Sequence, residues 1–464
     1  MMRLKNSIGV TVAVVSLGSF LLRLPLCLVG PGFDYDSALF LHHAILSVRL
    51  RDYVPSRAPG YIVPDHLGHL LAPYGWVYLC LLCSFLHSVT IPIFAKILKH
   101  LGVSQGSLTY SIIFYGFLPI HLLAYSDVMV EYPLMMLGIL LGWLCLIREK
   151  LIPSALLLGI GASMRPSQGV FIALIFIVFV AYRFGWRSLI PYSSMLLAPI
   201  LLLWVLPGIW LEGHSFIFEY RPYSSDLLGY LRHLMLRFVA PFGIVPLTLV
   251  SMGILFSARK ITGLARKEPH LTLSIILVIV VSILFFRHPF KTNYLLLSIP
   301  FLIYTMSVFF QNKLFKAIVF ASVLHGLVAL PSIPPCESAA VLGVGTIIAD
   351  YRDRANSLQE SEYLFKNTPP KSIVLCNARI IHLESYDILR NKKANYRTSS
   401  GVIRDEENDR WWYMATHEQI VRIKEESTNY RVFATESIYR RFQKFFENLG
   451  FLNRVSRLDT SRCM

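Results

Sequence analysis

The chain has 464 residues, of which 55% are hydrophobic and only 16% are charged, and its mean hydropathy is +0.54. This composition excludes an ordinary soluble protein and is typical of a polytopic membrane protein with room for a soluble domain. The net charge of +16 comes mostly from residues 1–335, which hold 24 basic and 11 acidic residues, against 20 and 17 in residues 336–464. We attribute the excess to basic membrane loops and expect no nucleic-acid partner.

The first predicted element is a membrane-spanning helix from Ile8 to Val29, which is long enough to cross a hydrocarbon core of about 30 Å. Arg3 and Lys5 precede it and would hold the N-terminus in the cytoplasm. A cleaved signal peptide is the alternative. The apolar stretch exceeds the usual core of about 7 to 15 residues, however, and lacks a clear small-x-small cleavage site. We therefore expect a retained helix, with the next loop on the extracytoplasmic side.

Ten further apolar segments make eleven predicted spans, and they lie at Tyr74–Leu98, Leu108–Tyr125, Val128–Ile147, Leu151–Met164, Gly169–Tyr182, Leu189–Trp210, Leu234–Phe256, Leu271–Phe286, Tyr294–Phe310 and Phe315–Pro331. If the chain crosses at each in turn, every cytoplasmic loop is basic, as the positive-inside rule expects. Nine of the eleven acidic residues then lie outside. Two segments of only about fourteen residues are short for full crossings, so a bent hairpin hinged at Arg165-Pro166 is expected there.

Two of these scarce carboxylates, Asp34 and Asp36, stand two apart in GPGFDYDSALF, at the start of the predicted outer loop 30–73. The apolar pattern from Ala38 to Val48 predicts an interfacial helix, and a turn-rich stretch with Pro and Gly follows it. Acidic residues this rare in a membrane body indicate chemistry. The structural alternative is that Asp34 or Asp36 caps the helix that follows.

After Pro331 the charge density rises about threefold, which predicts a soluble extracytoplasmic domain over residues 336–464. Two apolar runs in it, Lys371–Cys376 and Tyr430–Thr435, are typical of buried strands. Each is followed by a helical pattern, at Ile380–Arg390 and Ile438–Leu449. The predicted fold class is therefore an all-α polytopic membrane domain, residues 1–335, followed by a small α/β domain.

No metal site is predicted from the cysteines and histidines. Cys80 and Cys83 have metal-like spacing but lie in an apolar helix without a second ligand pair. His42 and His43 are adjacent, so on a helix they point to different faces and a shared ion is not expected. We predict no certain cofactor, and a divalent cation stays open.

In their order, these landmarks resemble the integral-membrane glycosyltransferases of the C-type fold that use polyprenyl-phosphate sugars, the group containing protein O-mannosyltransferases and lipid A aminoarabinose transferases. FDYDSALF resembles the family's acidic motif Asp-Glu-Ala-x-Tyr, with Asp36 at its Asp and Ser37 in place of its Glu. The other matching segments, within residues 1–331, are RAPGYIVPDHLGHLL, SDVMVEYP, LLLGIGASMRPSQ and RHPFKTNYLLLSIPFL.

The resemblance implies an inverting enzyme that moves a sugar from a polyprenyl-phosphate donor to an acceptor hydroxyl on a glycan, lipid or protein. A carboxylate within hydrogen-bond reach can accept the hydroxyl proton as general base. Asp36 is the first candidate for that role and Asp34 is the alternate.

The leaving lipid phosphate needs nearby cations, and Arg165, Arg287 and Lys291 are the candidates to bind it. The alternatives are snorkelling, interfacial anchoring or, for Arg165, pairing with an acid such as Asp127. Candidates for acceptor binding or for supporting the site are Asp127 and Glu131, which share a helix face if a helix begins at Asp127, together with Arg57. A helix-start preference for acids explains Asp127 and Glu131 nearly as well.

Two other classes of protein compete with this hypothesis. A transporter or flippase of lipid-linked sugars would explain the spans, but it would place polar residues along a path through the bilayer. A membrane-anchored binding protein would need only its outer domain. We prefer a bacterial inner-membrane location, and an endoplasmic reticulum or archaeal membrane would fit the same topology.

Overall fold

The computed structural model describes residues 2–32, 35–56, 61–212, 227–265, 267–287, 292–329, 343–393, 395–399, 401–426 and 429–458. Its N-terminal part is helical, with helices α1 Met2–Leu28, α2 Tyr35–Leu50, α3 Ile62–Leu71, α4 Trp76–His100, α5 Gln105–Phe117, α6 Pro119–Ala124, α7 Glu131–Ile147, α8 Leu151–Met164, α9 Pro166–Phe184, α10 Trp186–Ile200, α11 Leu206–Glu212, α12 Leu227–Leu234, α13 Ala240–Phe242, α14 Ile244–Ala265, α15 Pro269–Arg287, α16 Ile299–Phe309 and α17 Asn312–Leu327.

Apolar helices confirm an integral membrane protein. Among the described residues, six helical stretches are long and apolar enough to cross a bilayer, namely Ile8–Leu28, Trp76–His100, Pro166–Phe184, Trp186–Leu211, Pro269–Arg287 and Thr292–Phe309. Three shorter apolar helices are Glu131–Ile147, Leu151–Met164 and Ile244–Ser257. The total of eleven spans and the orientation of the termini stay predictions.

The helix boundaries differ from the predicted spans at two places that matter for the site. The span predicted at Leu108–Tyr125 is divided at Leu118, because Pro119 lacks the N–H that would continue α5, and α6 begins there instead. The next helix begins at Glu131, three residues later than predicted. A non-helical loop thus separates α6 from α7.

Arg165 is the break between α8 and α9, as the predicted hinge requires, but α9 has nineteen residues rather than about fourteen. Two glycines bring α7 and α8 into close contact. A Cβ added to Gly138 would lie 2.6 Å from the Cα of Gly161, so larger residues would force the backbones apart. This antiparallel hairpin places the start of α7 beside the end of α8, and hence Glu131 beside Arg165.

The C-terminal part is an α/β segment, residues 343–458, with helices α18 Thr346–Asn367, α19 Ala378–Asn391, α20 His417–Glu426 and α21 Glu436–Asn448 and strands β2 Gly343–Val344, β3 Ser372–Cys376, β4 Tyr396–Ser399, β5 Val402–Asp405, β6 Arg410–Met414, β7 Arg431–Thr435 and β8 Val455–Leu458. Strand β2 pairs with β1, Val328–Ala329, at the end of the helical part. The main sheet has the order β4-β5-β6-β3-β7-β8, with β6, β3, β7 and β8 parallel and β4 to β6 antiparallel.

Both strands predicted in this segment, β3 and β7, are confirmed, as are the helices after them, α19 and α21. Helix α18 and the antiparallel hairpins were not predicted. Trp412 on β6 stacks on Phe365 of α18 with ring centroids 4.2 Å apart, which fixes α18 against the sheet. The predicted domain boundary after residue 335 lies outside the described residues.

Helix α19 packs on α2 and joins the two parts of the chain through a shared core. Tyr386 of α19 is buried with Phe40 and Leu41 of α2, and its hydroxyl donates a hydrogen bond of 2.8 Å to the carbonyl of Ala72. Arg49, in the last turn of α2, donates to the carbonyls of Leu389 and Arg390 at the end of α19. We call the end of the membrane helices that carries α2 and α19 the acidic end.

A buried histidine pair makes this interface sensitive to pH. The rings of His42 on α2 and His382 on α19 lie 5.6 Å apart. Burial, with a smaller contribution from neighbouring histidines, lowers the pKa of His42 to about 3 and the pKa of His382 to about 4. Both side chains are therefore neutral when folded, whereas in the unfolded chain they take up protons below about pH 6.5.

The free energy of unfolding should fall as the pH drops from about 6.5 towards 4. Each histidine should lower it by about 1.4 kcal/mol per pH unit. The apparent melting temperature of the protein in detergent, measured from pH 7.5 to 4.5, should fall less steeply in a His42→Gln/His382→Gln variant. His100→Gln, at an exposed histidine, is the matched control. Equal slopes in all three proteins would contradict the assignment.

Candidate functional site

Asp36 lies in the first turn of α2 and is 3% exposed. The next residue, Ser37, donates a hydrogen bond of 2.7 Å from its hydroxyl to Oδ2 of Asp127. Asp127 is fully buried and comes from the loop between α6 and α7. The structure therefore joins the residue that follows Asp36 directly to Asp127. Asp34, the alternate base, lies outside the described residues.

The backbones of the two acidic loops are also joined directly. The amide of Val128 donates a hydrogen bond of 2.9 Å to the carbonyl of Pro31. A Cβ on Gly32 would lie only 2.3 Å from the Asp127 carboxylate and from the Ser37 hydroxyl, so glycine is required by this close approach. We call segment 29–32, which precedes the start of α2, and segment 125–130 the acidic loops.

Asp127 does not begin a helix, so the condition under which it would share a helix face with Glu131 is not met. Helix α7 begins at Glu131, and Oδ1 of Asp127 instead accepts the amide hydrogen of Met129 at 3.2 Å. Asp127 is thus held by a loop turn, whereas Glu131 lies in the first turn of α7 and is fully buried.

Arg165 is buried, and its partner is Glu131 rather than Asp127. Nη1 of Arg165 lies 3.6 Å from Oε1 of Glu131. Its guanidinium also faces three aromatic rings, with centroid distances of 4.1 Å to Tyr132, 5.1 Å to Tyr294 and 5.9 Å to Tyr61. Within the described residues, Nε and Nη1 donate no hydrogen bond. A desolvated guanidinium with free donors suits an anionic ligand.

A buried carboxylate that sequence reasoning missed, Asp65 on α3, organises the turn-rich stretch before it. Its Oδ2 accepts a hydrogen bond of 2.8 Å from the Tyr53 hydroxyl and bonds of 3.3 Å from the amides of Ser56 and Tyr61. Asp65 therefore fixes the position from which Tyr61 reaches Arg165. Asp65 is the only acidic residue in the motif RAPGYIVPDHLGHLL, and this could have identified it from the sequence.

Three predicted site residues remain to be placed. Arg287 is exposed at the last turn of α15, whereas Lys291 and Arg57 lie outside the described residues. Among the residues that the structure describes, no group of three or more His, Cys, Asp or Glu side chains could hold a metal ion.

An apolar groove of about 470 Å³ lies next to the Arg165 cluster. One wall is α3, beginning with Ile62 directly after Tyr61, and the other is the Leu202–Leu211 stretch, including Trp210. The α3 wall of the groove thus begins one residue after Tyr61, whose ring faces Arg165.

The tyrosines around Arg165 were missed because they come from three elements far apart in sequence: Tyr61 precedes α3, Tyr132 is in α7 and Tyr294 is in a 3₁₀ turn before α16. Gln168 of α9 donates a hydrogen bond of 2.9 Å to the Tyr294 carbonyl and helps to hold that turn. Each of them lies in a segment that resembles the family, Tyr61 in RAPGYIVPDHLGHLL, Tyr132 in SDVMVEYP and Tyr294 in RHPFKTNYLLLSIPFL, and this was the available signal.

The fold of the chain, an apolar helical bundle followed by an α/β segment, has a counterpart among solved structures. The chain is similar to ArnT from Cupriavidus metallidurans in the apo state, with a TM-score of 0.52, 12% identity and coverage of 95% of both chains. The structure of that ArnT bound to undecaprenyl phosphate gives a TM-score of 0.48 and 14% identity over 83% of this chain and 75% of that chain.

The likeness to ArnT confirms the C-type membrane glycosyltransferase fold expected from the motifs. No protein-family profile matches the chain, and no curated protein sequence matches it. At 12% identity the similarity establishes the fold, and the activity has to be argued from the site.

Gly32→Ala should separate the acidic loops, because its methyl group would overlap the Asp127 carboxylate. Overpacking of this kind costs about 1–3 kcal/mol, so the apparent melting temperature should fall. Gly106→Ala in α5 is the control, since the nearest atom to its Cβ would be 3.9 Å away. An unchanged melting temperature in Gly32→Ala would show that the loops do not meet as described.

Proposed function

We propose that this protein is an inverting glycosyltransferase that moves a sugar from a polyprenyl-phosphate carrier to an acceptor hydroxyl on the extracytoplasmic face of the membrane. The observation that carries the proposal is the meeting of the acidic loops beside Asp36, in a chain with the fold of a membrane glycosyltransferase.

Asp36 is the proposed general base. The acceptor hydroxyl oxygen attacks the anomeric carbon, its proton passes to the Asp36 carboxylate, and the bond from that carbon to the phosphate oxygen breaks. Asp127 supports this step through Ser37, whose hydroxyl it holds. Asp34 stays the alternate base.

Arg165 is the proposed ligand of the donor phosphate. Its guanidinium would neutralise the charge that develops on the leaving phosphate, and Glu131 and the tyrosines fix its orientation. The apolar groove along α3 would take the first isoprenoid units, since it begins beside Tyr61. Arg287 and Lys291 are further proposed phosphate contacts, and Arg57 a proposed acceptor contact.

The acidic end is the proposed extracytoplasmic end. Most acidic residues of the helical part and the whole α/β segment lie on that side of the predicted topology, whereas the predicted cytoplasmic loops are basic. A bacterial inner membrane is the proposed location. No nucleotide-sugar site is part of the proposal.

Transport of lipid-linked sugars is the second candidate, and one observation favours it. Arg23 is fully buried in α1 and lies 2.6 Å from Nδ1 of His87, whose Nε2 lies 3.3 Å from His121. Buried ionisable groups between membrane helices often mark a path. Transport would not require Asp36, so the variant below separates the two functions.

Asp36→Asn should lower transfer by at least about a hundredfold, because an amide cannot accept the proton at the acceptor oxygen. The measurement is transfer by lipid-reconstituted protein from radiolabelled polyprenyl-phosphate sugars to mixed membrane acceptors. Asp52→Asn, an exposed carboxylate after α2, is the matched control. Full transfer by Asp36→Asn, or labelled lipid crossing the bilayer without transfer, would contradict the assignment.

Arg165→Lys should weaken donor use by about tenfold or more, because lysine keeps the charge but loses the planar donor fork. The Michaelis constant for the polyprenyl-phosphate sugar should rise, with little change for the acceptor. Arg148→Lys, at an exposed arginine after α7, should behave like the wild type. If only the Michaelis constant for the acceptor changed, the assignment of Arg165 to the donor site would be wrong.

A further inference from the structure

Two arginines of the α/β segment reach the acidic loops. Arg354 of α18 is fully buried, although it lies in the charged sequence DYRDR, and Arg379 of α19 is nearly buried. Fully buried arginines are rare unless they are paired and hydrogen-bonded, so their partners define their role.

The partners of Arg354 are backbone carbonyls at the ends of two helices. Nη1 donates to the carbonyl of Leu26, in the last turn of α1, at 3.3 Å and to that of Ser126 at 2.9 Å. Nη2 donates to the carbonyl of Leu123, in the last turn of α6, at 3.4 Å and to the Ser126 hydroxyl at 3.0 Å. One guanidinium thus donates to carbonyls in the last turns of both helices, where a positive charge is favoured.

These two helices are the ones from which the acidic loops emerge. Loop 29–32 follows α1 and loop 125–130 follows α6. The aliphatic stem of Arg354 also packs on the first loop, since a Cβ on Gly30 would lie 3.4 Å from the Cβ of Arg354. Gly30 has a φ of +151°, so a side chain would be strained there.

Arg354 is itself held by a carboxylate and lies in the field of a second one. Its Nε lies 2.7 Å from Oδ2 of Asp350, one turn earlier on α18. Burial opposes its charge, but the carboxylates of Asp350 and Asp127 raise the pKa of Arg354. The guanidinium therefore stays charged beside the acidic loops.

Arg379 makes the second connection. Its Nη2 donates a hydrogen bond of 2.8 Å to the carbonyl of Gly32, and its Nη1 pairs with the exposed Asp353 of α18. Gly32 is the residue packed against Asp127 and Ser37. Helices α18 and α19 therefore contact the loop on both sides of Pro31.

We propose that Arg354 and Arg379 are positioning residues for sugar transfer, which hold the two acidic loops in register from the α/β segment. The inference rests on the proposed function of those loops. It assigns the segment a part in forming the active site, in addition to any contact with the acceptor.

Other contacts between the two parts supply a matched control. Arg390 of α19 donates to the carbonyls of Pro73 and Tyr74, at 3.2 and 3.1 Å, so it anchors the same helix to the bundle away from the acidic loops. A residue that only docks the segment and a residue that positions the loops can therefore be compared on one helix.

The experiment compares Arg379→Ala, Arg354→Lys and Arg390→Ala in the full-length, lipid-reconstituted protein. Misplacement of reacting groups by about 1 Å can cost a factor of about 100, so kcat should fall about 10- to 100-fold in the first two variants, with the donor KM unchanged. Arg390→Ala should keep the wild-type kcat. Equal losses in Arg379→Ala and Arg390→Ala, or no loss in either, would overturn the inference.

Hydrogen–deuterium exchange tests the same contacts without using activity. Peptides covering 26–32 and 123–130 should exchange faster in Arg379→Ala and Arg354→Lys than in Arg390→Ala. If the wild-type protein showed no transfer activity, only the proposed function would be refuted. The exchange measurement would still show whether Arg354 and Arg379 hold the acidic loops. Unchanged exchange in both loop variants would overturn the inference even if kcat fell.

Discussion

The site depends on the hydrogen bond between the Val128 amide and the Pro31 carbonyl, because it joins two loops that come from different helices. Loops rarely hold a reactive geometry alone, since each ordered backbone residue costs about 1–2 kcal/mol of conformational entropy. Here the second bond from Ser37 to Asp127 and the absence of a side chain at Gly32 restrict the same junction. The loops thus approach the precision of a rigid element.

Each charged side chain that is buried at the acidic end needs partners that compensate the loss of water. A few neighbouring polar or aromatic groups supply them in each case. Arg165 has a carboxylate and three aromatic faces, and Asp65 has a phenol and two backbone amides. Since removal of one member leaves the rest desolvated, these residues resist substitution whatever their role in catalysis.

Much of this arrangement could be predicted from the sequence, and the reasons for the failures are physical. Apolar runs revealed most membrane helices and strands β3 and β7, and a lone arginine after the apolar helix α8 identified Arg165. The break at Leu118 was missed because hydropathy is insensitive to one Pro. The hairpins β4 to β6 were missed because their strands are short and rich in charge. Arg354 was missed because its neighbours in DYRDR are charged, and only tertiary contacts show that it is buried.

The arginine contacts change what removal of the α/β segment could mean. Deleting residues 336–464 would uncap the C-termini of α1 and α6 and release the carbonyl of Gly32, so loss of transfer would follow even if the segment never touched a substrate. Loss of transfer after deletion therefore does not distinguish a transferase from a membrane-anchored binding protein. Single substitutions that leave α19 docked can, because Arg379 and Arg390 belong to the same helix and reach different loops. An experiment that assigns a function to the helical part or to the α/β segment therefore has to keep the two docked on each other.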